Sequence, residues 1–152
     1  MPYQRKHTVQ IIITNTLALL FIFLFTYAAL SKLISYSVFE DQLIQVPFLA
    51  FAAPFLVWAV PGVKLLVVVL LLWPSLRRYG ILSFLVLMLM FTGYLVYTLY
   101  FSPYTPCSCG GIISGMGWRS HILFNLFFIG LAVLAILLEP SKSTENNNNN
   151  TT

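Results

Sequence analysis

Two thiols stand one residue apart in an otherwise apolar chain: Cys107 and Cys109, within the stretch FSPYTPCSCGGIISGMGWRSH from Phe101 to His121. A Cys-x-Cys pair can close a disulfide, but its ring is small and strained, and strain makes the bond easier to reduce. A bracing disulfide stabilises by closing a long loop, whereas a one-residue loop constrains almost nothing in the unfolded chain. The spacing therefore points to thiol–disulfide exchange rather than to a permanent brace. Pro106 fixes the approach to the pair, and Gly110 and Gly111 leave the neighbouring backbone open to an incoming thiol. Arg119 and His121 follow at the expected start of a helix, where a folded-back loop would let either stabilise a thiolate.

Other readings of these residues stay open. Two thiolates and His121 would make three ligands for a soft metal, but a closed zinc site takes four and no fourth stands nearby, so no metal is expected. The cysteines would also be stable as reduced, inert thiols in a tight turn, and His121 as a helix cap or an interfacial side chain. Lys64 is the second unusual residue, because it lies inside an apolar run where a charge costs a few kcal/mol (~2.5–3.5 on insertion scales). Glu40, Asp41, Glu139 and Glu145 all lie outside the apolar cores. Snorkelling of Lys64 toward the cytoplasmic interface, onto carbonyls freed by Pro61 or Pro74, is expected ahead of a catalytic role.

The elements that must position these residues are set by composition. The 152 residues are 59% hydrophobic and 8% charged, against about a quarter charged in soluble domains, which makes this a membrane protein. Four apolar runs reach the roughly 20 residues needed to cross a bilayer: Val9 to Leu30, Phe48 to Trp73, Gly80 to Phe101 and Ile122 to Leu138. The first is too long for the apolar core of a cleavable signal and is read as retained. Basic residues occur singly or in pairs, with no stripe for nucleic acid. They report orientation instead: with the N-terminus inside, Arg5, Lys6, Arg77, Arg78 and Lys142 are cytoplasmic, and Lys32 and Arg119 are outside. Both termini are then cytoplasmic, and Cys107 and Cys109 face the extracytoplasmic side, where disulfides persist.

Leu33, Ile34, Val38, Phe39, Leu43 and Ile44 recur at helical spacing after the first span and predict an amphipathic interfacial helix ending before Pro47. Pro54 and Pro61-Gly62 predict a kinked second span. The short loop PSLRRYG turns the third span back antiparallel, and Tyr94, Tyr97 and Tyr100 read as an aromatic belt, with a quinone-stacking surface as the second choice. The expectation is an all-α membrane protein, one four-helix up-down-up-down bundle over residues 1–139, with a disordered polar tail over 140–152.

SPYTPCSCGG followed by GWRSHILFN, with AALSKL ending the first span and VPGVKLLVVVLLLWPSLRRYG across the second, resembles the methylamine-utilisation MauE family. The likeness is to its short Bacteroidetes-type members, within the DoxX-like four-helix membrane proteins, and runs from Val9 to Leu138. The resemblance implies a multi-pass, redox-associated protein of the bacterial inner membrane, and MauE itself is associated with maturation of the disulfide-rich small subunit of methylamine dehydrogenase. It maps the family cysteines onto Cys107 and Cys109 and a first-span lysine onto Lys32, and it draws in Trp118, His121 and Asn125. Lys64 departs from it, standing where the family pattern usually has an acid.

The function expected is thiol–disulfide exchange by Cys107 and Cys109, assisting maturation of an exported client, with a periplasmic thiol or thioredoxin-like protein as partner. A membrane quinone or another thiol protein would regenerate the pair. The rivals are a noncatalytic membrane subunit that docks a redox or transport complex, and a transporter whose kinked second span and Lys64 bind an anion.

Overall fold

A computed structural model describes residues 2–46, 49–101 and 118–139. These residues form helices α1 (Pro2–Ile34), α2 (Tyr36–Ile44), α3 (Ala53–Leu72), α4 (Arg77–Phe101) and α5 (Trp118–Leu138), with a 3-10 turn over Ala50–Ala52 leading into α3. The cysteine segment and the polar tail lie outside the described residues.

Among the described residues four stretches are long and apolar enough to cross a membrane: Thr8–Ile34, Ala50–Leu72, Arg77–Phe101 and Arg119–Leu138. In lipid every backbone N–H and C=O must be satisfied within its own segment, which a continuous helix does. Their outer faces carry Phe23, Phe55 and Leu126, exposed in the isolated chain as lipid-facing residues are. The chain is therefore a multi-pass membrane protein with an all-α, four-helix fold.

The helices close a ring in which α1 and α4 each pack against both α3 and α5. At one end Arg77, opening α4, reaches Asn15 in the first half of α1 and Glu139 just beyond α5. At the other end Lys32 of α1 and His121 of α5 line one cavity. Neighbouring spans thus run antiparallel. The α3–α4 connection is only Trp73–Leu76, and it needs a close approach: a Cβ on Gly80 would lie 2.9 Å from the backbone nitrogen of Leu71. Glycine is the residue that fits there.

The core occupies the Arg77 half of the ring. Phe21, Phe84, Ile81, Val67 and Leu71 are buried there, and Phe21 stacks on Phe84 with ring centroids 4.2 Å apart. Ala132 and Ala135 are fully buried on α5, where small side chains let helices approach closely.

The predicted amphipathic helix is present as α2, which begins after a turn at Ser35. Phe39 and Leu43 pack onto Ala53 and Val57 at the start of α3, while Val38 and Ile44 are exposed. Pro54 does not interrupt α3 as expected: it stands in the first turn, where the missing N–H has no helical acceptor to lose. Pro61 is inside the helix and fully buried, and it removes the bond to the Val57 carbonyl.

Candidate functional site

The inward stripe of each spanning helix changes character along its length. On α1 it runs Phe21, Phe25, Ala28, Lys32, at steps of three and four residues; on α4 it runs Phe84, Met88, Phe91. On α5 it returns from His121 through Phe124 and Asn125 to Phe128. Toward the His121 end the side chains no longer fill the axis. They leave a partly open cavity of about 120 Å³ lined by Phe25, Tyr27, Lys32, Lys64, His121 and Asn125, with aliphatic and aromatic walls from Leu24, Leu87, Phe91 and Phe124.

Lys64 supplies the deepest charge. It is the twelfth residue of α3, about 16 Å along the helix from Ala53 at 1.5 Å per residue. Its side chain is only 8% exposed, and its ammonium stands 4.3 Å from the Phe91 ring centroid and 5.7 Å from that of Phe25. Ring faces attract a cation through their quadrupole. The expected snorkelling toward the opposite interface is therefore overturned, because the aromatic faces and the cavity draw the ammonium to the bundle axis.

Lys32 lies nearer the surface, with its ammonium 4.6 Å from the Phe39 ring centroid of α2. The short helix α2 so holds a cation at the cavity rim. Asn125, one turn along α5 from His121, is buried at 4% exposure, and His121 is half-buried. Tyr27 and Ser31 add hydroxyls from α1. Among the described residues no Asp or Glu lines the cavity. Two lysines around one small space make its potential positive, which favours ligands bearing acceptor oxygens or negative charge.

Of the residues singled out from the sequence, Lys32, Lys64, His121 and Asn125 meet at this cavity. His121 is a lining residue rather than only a cap. Arg119 is exposed in the first turn of α5, which Trp118 opens. Cys107 and Cys109 lie outside the described residues. Tyr97 and Tyr100 are exposed near the end of α4, with Tyr97 stacked on Phe101 at 5.8 Å. Among the described residues no group of three or more His, Cys, Asp or Glu is placed to hold a metal.

Sequence reasoning missed Tyr27, Ser31 and, at the other end, the cluster of Asn15, Arg77 and Glu139. Arg77 donates from Nε to a Glu139 carboxylate oxygen at 3.4 Å and from a terminal guanidinium nitrogen to Asn15 Oδ1. An acid directly after the last span, with arginines opening another, is the signal that would have suggested the pair.

Comparison with known families matches residues 10–138 to the family described as Methylamine utilisation protein MauE. No curated protein and no solved structure matches the chain. A match over this much of the sequence makes the chain a member of the MauE family.

Proposed function

From that membership, we propose that this membrane protein carries out thiol–disulfide exchange through Cys107 and Cys109 on the extracytoplasmic face of a bacterial inner membrane, assisting oxidative maturation of an exported partner. Membership itself relates the chain to methylamine utilisation. One observation carries most weight for the exchange: the segment containing both cysteines joins Phe101 of α4 to Trp118 of α5, and that end of the bundle holds Lys32, His121 and the cationic cavity.

The chemistry starts from the Cys107–Cys109 disulfide. A client thiolate attacks one sulfur, the strained S–S bond breaks, and the other sulfur leaves as a thiolate. A second client thiolate attacks the mixed disulfide, which forms the client disulfide and leaves both cysteines reduced. Two electrons pass from client to pair. Lys32 and Arg119 bring positive charge to this end of the bundle, and a leaving thiolate is stabilised by neighbouring cations.

Gel-shift alkylation on isolated membranes tests the reading. Wild-type protein passes from no adduct to two when the membranes are reduced, one on each cysteine. Cys107→Ser or Cys109→Ser, with one sulfur left and no pair to close, gives a single adduct with or without reduction, so the wild-type shift is lost. Thiols that never change state in any growth condition would favour the noncatalytic docking subunit instead.

A further inference from the structure

Resting on the thiol-exchange reading, we propose that the cavity at the His121 end binds the head group of a lipid-soluble quinone, which takes up the electrons of the reduced cysteine pair. Its size, its walls, its donors and its depth each bear on this choice.

At about 120 Å³ the space is on the scale of one six-membered ring, since an engineered cavity of about 150 Å³ accommodates benzene. Phe25, Phe91 and Phe124 with Leu24 and Leu87 give it apolar walls suited to a flat ring. An inorganic anion would use the donors but would set the apolar walls, which make up most of the lining, against a charged surface. A hydrocarbon chain would set the His121 ring and the Asn125 amide against apolar matter, where polar groups are costly to bury. A quinone satisfies both halves of the lining: the ring meets the apolar walls, and the carbonyl oxygens accept from ammonium, imidazole or amide donors. Apolar lining with a few convergent polar groups is the usual make-up of a small-molecule site. The site also lies within the spanning segments, which a lipid-soluble ligand reaches from the bilayer.

The charge of the lining bears on direction. Reduction of a quinone builds negative charge on its oxygens, and cations already in place stabilise that charge without reorganising. Lys32 and Lys64 therefore make the bound head group a better electron acceptor. The sum balances: the Cys107–Cys109 dithiol loses two electrons and two protons and becomes a disulfide, while the quinone gains them and becomes the quinol. The disulfide is then ready for another client.

Equilibrium binding of duroquinone and of decyl-ubiquinone, both single-ring quinones, to the purified full chain in lipid nanodiscs tests the site, with sodium sulfate and sodium benzoate as competitors. Saturable quinone binding is expected in the wild type and, unchanged, in a Cys107→Ser/Cys109→Ser double variant. Lys64→Met weakens it about tenfold or more, the loss expected for one hydrogen bond from a charged donor. Ala28→Leu, which fills the cavity and leaves every charge in place, weakens it to a similar degree. Absence of saturable quinone binding in the wild type overturns the proposal, as does unchanged binding in both cavity variants. Equal or tighter binding of benzoate overturns it as well, and makes the cavity an anion site. A pair that cycles in the alkylation assay while no quinone binds sinks the cavity proposal alone; quinone bound beside thiols that never change state sinks the exchange reading alone.

Discussion

Along the bundle axis, the half around Arg77 and the half around His121 are made by the same four spans and filled in opposite ways. Near Arg77, Phe21, Phe84 and Phe128 interlock with Val68, Leu71 and Ile81, and the end is closed by Arg77 between Asn15 and Glu139. Near His121 the axis holds a cavity, two lysines and a buried Asn125. In a bilayer the hydrophobic effect does not drive helices together, so close packing holds them. The filled half supplies that packing, which leaves the other half free to keep an open, charged space. Phe25 belongs to both: it lies 4.4 Å from Phe84 by ring centroids and forms part of the cavity wall.

Substitutions sharpen or break this contrast. The largest effect is expected for Phe84→Ala, which removes a fully buried ring from two aromatic contacts and costs about 3–5 kcal/mol, read as a fall in the thermal midpoint in detergent. Gly80→Ala comes next. Its added methyl meets the Leu71 backbone at 2.9 Å, and overpacking of this kind costs about 1–3 kcal/mol by the same assay. Glu139→Gln weakens a partly exposed ion pair of 3.4 Å and costs about 0.2–1 kcal/mol, diminishing as salt is raised. The smallest change in stability belongs to Lys64→Met, within about 1 kcal/mol and as readily a gain as a loss, because an apolar chain of similar length replaces a buried charge. A drop for Lys64→Met as large as for Phe84→Ala would erase the distinction between the halves.

Hydropathy and turn residues delimit the spans because each helix reports its own apolar length in consecutive residues. The α2 helix is equally legible, since Phe39 and Leu43 recur one turn apart and both end on α3. The cavity is not, for a physical reason: its lining comes from four helices, and periodicity within one helix does not say which residues of another it faces. Lys64 illustrates this, because its direction is decided by Phe25 on α1 and Phe91 on α4. Lys32 and Asn125 are drawn in through the MauE resemblance, whereas Tyr27 and Ser31 lie in an apolar helix with nothing local to distinguish them. The Arg77–Glu139 pair spans 62 residues and is hidden in the same way.

The most direct test of the account is labelling of Cys107 and Cys109 on intact cells with a membrane-impermeant maleimide, before and after mild reduction. The account predicts that both sulfurs react from outside, and only once reduced. Labelling that requires permeabilised cells, or that is complete without any reductant under every condition of growth, would contradict it.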